Sequence, residues 1–172
     1  MKIVVLAGGI STERDVSLSS GTQIYKALKK NGHQVIMLDV FLGYEGDIDN
    51  IFETDTDWVK EVAPVSETTP DIAQVKALRK DQSGVLFGEN VIPICQKADL
   101  VFMALHGDCG ENGKIQAAFD LFEIKYTGTD SLSSALAMDK AISKQLFLMN
   151  GVNTPKSHML SGPEDQTQPT FP

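Results

Sequence analysis

At 172 residues, with 42% hydrophobic and 22% charged side chains, the chain has the make-up of one ordered globular domain, or of one domain and the start of another. A formal charge of −8 offers no basic surface to nucleic acid or to an anionic membrane, since counterion release rewards only a cationic partner. No basic segment precedes a long apolar run at the start, and no later run approaches the roughly 18 apolar residues of a membrane span, so the chain reads as cytoplasmic.

Residues 3–7 (IVVLA), 34–40 (QVIMLDV) and 100–105 (LVFMAL) are short, branched, almost uniformly apolar runs, which is the pattern of strands buried on both faces of a parallel sheet. Between the first two, Val16, Ser20, Ile24 and Ala27/Leu28 recur at helical spacing until Asn31-Gly32 supplies the stop. The stretch 42–90 is acidic and rich in Thr, Asp and Ser, with Pro64 and Pro70; it predicts an elaborated crossover with one helix around 72–78, followed by a small hairpin over 84–94. After the third strand, Ile115, Ala118, Phe119 and Phe122 place an apolar stripe on a short helix. An apolar turn at 123–127 and Asp130-Ser131 lead into 132–137, and Ile142, Leu146 and Met149 share a face of a helix over 139–149 that ends at Asn150-Gly151. This alternation predicts an α/β fold with an open, mainly parallel, three-layer sheet of Rossmann-like type. The last twelve residues, SGPEDQTQPTFP, carry three prolines and no closing element, so they read as a connection cut short. The expected division is a domain over 1–153, then a linker and the start of a truncated second domain over 154–172.

Cys95 and Cys109 are the only cysteines, lie outside any CxxC spacing and have no histidine at ligand spacing, so they read as free thiols of a reducing compartment. The turn Ala7-Gly8-Gly9 after the first strand lets backbone approach a ligand, and the helix that follows aims its free N–H groups at the same place. Gly-Gly is not GxGxxG, and Asp39 alone stands near the register of a ribose-binding acid, which disfavours a nicotinamide cofactor. Glu13 has an ordinary reading as a first-turn acid opposing the helix dipole, with Ser11 or Thr12 capping. Its place at the carboxyl end of the first strand gives it a second reading, as the holder of an ammonium group in the crevice where open α/β sheets bind ligands. His106 divides the same way, between a satisfied structural histidine and a site residue at that same sheet edge. The loop His106–Gly113 holds three glycines and four polar or ionisable residues, more than a turn requires.

The segment HGDCGENG at 106–113, followed by Lys114, Ile115, Gln116 and Ala117, fits the pattern HGxxGE(D/N)Gx(aliphatic)Q(small). GGISTERDVSL, from Gly8 to Leu18, is similar to GGxSxExxVS, and SSALAMDK, from Ser133 to Lys140, is similar to SALxMDK. In this order and spacing the three segments resemble the N-terminal part of the D-alanine:D-alanine ligase family. The resemblance implies a pre-ATP-grasp N-terminal domain in which Glu13 orients the ammonium of the first D-alanine. It also implies that the main chain of Val16 and the hydroxyl of Ser17 frame that substrate, that His106 sits near both D-alanines, and that Lys140 reaches the ATP phosphates. The implied reaction is the ATP-dependent joining of two D-alanines to D-alanyl-D-alanine for peptidoglycan precursors, through an acyl phosphate and a tetrahedral intermediate. ATP and Mg2+ (or Mn2+) would be bound mainly by central and C-terminal ATP-grasp domains outside this chain, which itself would supply no metal ligand. The implied assembly is a homodimer, and the chain alone is expected to be inactive. Two alternatives stay open: D-serine or D-lactate as second substrate, and a non-catalytic amino-acid-binding or oligomerisation module.

Overall fold

A computed structural model describes residues 1–66 and 68–158. Strand β1 (Lys2–Ala7) leads through the glycine turn into helix α1 (Arg14–Lys30), which returns the chain to β2 (Gln34–Asp39). The crossover from 40 to 99 carries a 3-10 turn at Ile51–Glu53 and two short helices, α2 (Ile72–Ala77) and α3 (Val91–Gln96). Strand β3 (Leu100–Met103) and helix α4 (Lys114–Leu121) follow, then α5 (Ser131–Met138) and α6 (Lys140–Met149).

The sheet order is β2-β1-β3, and both pairings are parallel, with Ile3 opposite Val35 on one side and Leu100 on the other. An isolated parallel bridge sets Tyr126 of the apolar turn at 123–127 alongside Val101 of β3. Because side chains alternate along a strand, the continuous apolar run of β1 feeds two separate cores. Val4 and Leu6 pack with Ile36, Leu38, Val101, Ile94 of α3 and Phe119 of α4. Val5 and Ala7 face the other way, onto Tyr25 of α1 with Val35 and Met37. The expected α/β class and open parallel three-layer architecture hold.

The hairpin expected over 84–94 does not form; its second half is α3. Val91-Ile92-Pro93-Ile94-Cys95 reads as a branched strand, yet Val91, Ile94 and Cys95 are buried at i, i+3 and i+4, the face of a helix. Pro93 is the third helical residue, a first-turn position where its missing N–H costs nothing.

Two compact units divide the chain, Met1–Ala135 and the part from Leu136 onward. The change of unit therefore comes inside α5, ahead of position 153, and residues 159–172 of the expected linker lie outside the described residues. Within the second unit, Asp139 caps α6 by accepting the amides of Ala141 at 2.9 Å and Ile142 at 3.0 Å.

Candidate functional site

The carboxyl ends of β1 and β3 meet the amino end of α1, and hydroxyl groups fasten the three together. Ser17 is wholly buried: its hydroxyl accepts the Gly8 amide at 2.9 Å and donates to the Ala104 carbonyl at 2.8 Å. The family resemblance puts that hydroxyl on the substrate. Its proton is committed to Ala104 and it faces inward, so Ser17 builds the site from behind by joining the glycine turn to β3. Ser11 makes the next tie, donating to the His106 carbonyl at 2.8 Å and accepting the Glu13 amide at 3.2 Å. Neither Ser11 nor Thr12 caps α1: Glu13 occupies the cap position, without a side-chain cap hydrogen bond, and Ser11 accepts only the amide of Glu13 itself.

Glu13 and His106 are thereby brought to one edge. A Cβ added to Gly107 would lie 2.9 Å from Glu13 Oε2, so the exposed carboxylate rests against the backbone that follows His106. The half-buried His106 ring has Nε2 3.3 Å from the Ser20 hydroxyl on α1. The loop beyond it makes a 3-10 turn at Asp108–Gly110, held by Gln116 Nε2 donating to the Gly110 carbonyl at 3.1 Å. Between the loop and the glycine turn is a crevice of about 20 Å³, lined by Gly9, Ser11, Val40, Leu105 and His106 among others. That is room for about one water, so the described residues form a wall and not a closed pocket. Val16 stands on α1 with 44% of its surface exposed.

Asp39, the acid weighed for a dinucleotide ribose, has a structural task. It pairs with Arg14 at 2.5 Å and accepts the amides of Phe41 at 2.9 Å and Leu42 at 3.0 Å. Sequence reasoning passes over Arg14, Ser20 and Gln116; Gln116 lies inside the quoted motif, which is the available signal for it. Lys140 belongs to the second unit, where it is the exposed first residue of α6. Burial, then the neighbouring Asp108, push the Cys109 thiol above its ordinary value, so it is no activated nucleophile. Among the described residues no group of three His, Cys, Asp or Glu side chains is gathered as a metal site.

Residues 2–129 match the family described as D-ala D-ala ligase N-terminus. The chain is 52% identical over 161 residues to the D-alanine--D-alanine ligase of Pediococcus pentosaceus, an alignment that covers 90% of this chain and 44% of that one. It is 46% identical over 157 residues to the enzyme of the same name from Lacticaseibacillus casei, covering 90% and 43%. The chain thus spans less than half the length of these curated relatives. Among solved structures, the VanG D-Ala:D-Ser ligase from Enterococcus faecalis superposes with a TM-score of 0.55 at 30% identity, covering 90% of this chain and 43% of that one. The D-alanine--D-alanine ligase from Bacillus anthracis complexed with ATP gives a TM-score of 0.58 at 24% identity, covering 91% and 39%, which shows the shared fold. With the two N-terminal motifs converging on one sheet edge and the family match running through both, the chain belongs to the D-alanine:D-alanine ligase N-terminal family.

Proposed function

We propose that this chain forms the substrate-holding wall of a cytoplasmic, homodimeric ligase that joins two D-alanines to D-alanyl-D-alanine for peptidoglycan synthesis. The observation that carries this reading is the Ser11 bridge, which ties the Glu13 backbone and the His106 carbonyl into one edge. Glu13 would take the ammonium of the first D-alanine, a charge-assisted contact for which a carboxylate is suited because it offers acceptors and no competing donor. His106 and the main chain at Val16 would complete that edge.

ATP with Mg2+, when bound, supplies the phosphoryl group that activates the first D-alanine carboxyl for attack by the amine of the second. Lys140 fits the phosphate side of that requirement: it is exposed at the start of α6 and, among the described residues, has no ion-pair partner. Among the described residues the acidic side chains do not fit a divalent metal, which residues outside this chain would hold. The likeness to a D-Ala:D-Ser ligase supports a second reading, in which the second substrate is D-serine and the Glu13 edge serves the same first substrate.

The test is Glu13→Gln in the full-length ligase. The expected result is a higher KM for the first D-alanine, the lost charge pairing costing on the order of 1.5–3 kcal/mol. Unchanged kinetics would remove Glu13 from the site.

A further inference from the structure

Arg14 and Asp39 enter none of the roles above, yet they hold the turn on which Glu13 depends. Their ion pair joins the first residue of α1 to the last of β2, with side chains only 9% and 14% exposed. Arg14 Nη1 also donates to the Gly9 carbonyl at 2.6 Å, and Asp39 Oδ1 lies 3.4 Å from the Gly9 amide. Gly9 is therefore held at both its C=O and its N–H by the two halves of one ion pair. Gly8, at φ +75°, admits the carboxylate: a Cβ there would collide with Asp39 Oδ2. Burying two charges is expensive, and apolar replacements often serve stability as well. What an apolar pair cannot supply is direction: one arm of the guanidinium donates to the Gly9 carbonyl while the other sets its charge against the Asp39 carboxylate.

We propose that the Arg14–Asp39 pair is the positioning device for Glu13, locking the Gly8–Gly9 turn to the start of α1 so that the adjacent Glu13 carboxylate stays against Gly107. The proposal rests on the reading of Glu13 as the ammonium-holding group. Neither Arg14 nor Asp39 touches substrate. Lysine at position 14 keeps the charge but loses the fork, so it cannot hold Asp39 and the Gly9 carbonyl at once.

The experiment is a double-mutant cycle in the full-length ligase, comparing wild type, Glu13→Gln, Arg14→Lys and the double variant. Arg14→Lys is expected to raise KM for the first D-alanine about tenfold or more, as small misplacements of a binding group do. KM for ATP should stay near wild type. In the Glu13→Gln background the same change should add little, because both losses pass through one carboxylate. Additive effects, or an unchanged KM in Arg14→Lys while Glu13→Gln raises it, would overturn the positioning role and leave the Glu13 reading standing. An unchanged KM in Glu13→Gln would bring down that reading first, and the positioning role with it. Should Arg14→Lys fold poorly, Arg14→Met/Asp39→Asn removes both charges without orphaning either; the same rise in KM is expected, and its absence overturns the proposal.

Discussion

Cys95 lies on α3, buried in the core that α3 shares with Val4 and Leu6 of β1, and burial alone pushes its thiol up to about 12 from an ordinary value of 9.0. Reaction needs the thiolate, so Cys95 is inert while the fold stands, and Cys109 is held back by partial burial and by Asp108. The raised value also makes stability depend on pH. Between about pH 9 and 12 the native state keeps the Cys95 proton and the unfolded chain has released it, so the unfolded state binds fewer protons and stability falls as pH rises. The contribution is fully present below pH 9 and declines above it by up to about 1.4 kcal/mol per pH unit. Urea melts of wild type and Cys95→Ala at about pH 7 and about pH 10.5, on either side of the free thiol's titration, check this. The variant starts lower, because of the cavity, and should lose less on going to high pH; equal losses would show that the folded chain releases the Cys95 proton as readily as the unfolded one.

Helix α1 illustrates how an element's own preference is overruled by what it packs on. Gly21 stands in mid-helix, where alanine is favoured by about 1 kcal/mol on propensity. A Cβ there would come 2.9 Å from Ala7 Cβ and 3.2 Å from Met37 Cε, and Ala7 belongs to the central strand, which has no room to yield. Gly21→Ala is therefore expected to destabilise by about 1–3 kcal/mol, read as a lower urea midpoint; a gain would show that α1 is free to lift from the sheet. The same balance between local preference and distant packing decides what the sequence discloses. The strands and α1 are legible because burial on both faces writes itself as period and apolar run. The Glu13 and His106 segments are legible because loops after parallel strands gather polar residues that turns do not need. The 91–96 helix is not, since its branched residues satisfy a strand equally well until the packing of Val91, Ile94 and Cys95 is known. The Arg14–Asp39 clamp is hidden for a different reason: its partners lie on separate elements, and no local pattern marks an arginine that will turn inward. Ser17 shows the converse, a motif residue whose place the resemblance foresees while the direction of its hydroxyl comes from packing.

At the scale of the molecule, charge placement decides what this chain does unaided. It has two arginines, Arg14 and Arg79. Arg14 is committed to Asp39 and the Gly9 carbonyl. Arg79, 6% exposed, pairs with Asp81 at 2.7 Å, donates to the Val85 carbonyl and stacks on Phe41 at 4.7 Å from the ring centre. The proposed ligation passes through a tetrahedral oxyanion, and in acyl transfer preorganised donors aimed at that developing charge lower the barrier more than any other single effect. Neither guanidinium is available for it without abandoning the glycine turn or the crossover, and withdrawing Arg14 would orphan the largely buried Asp39 charge. The purified 172-residue chain is therefore expected to show no D-alanine-dependent ATP hydrolysis, measured as phosphate release at saturating D-alanine and Mg2+-ATP. Reproducible turnover abolished by Glu13→Gln would mean that the described residues rearrange to free a donor, and Arg14, the residue next to Glu13, is where that rearrangement would have to be sought.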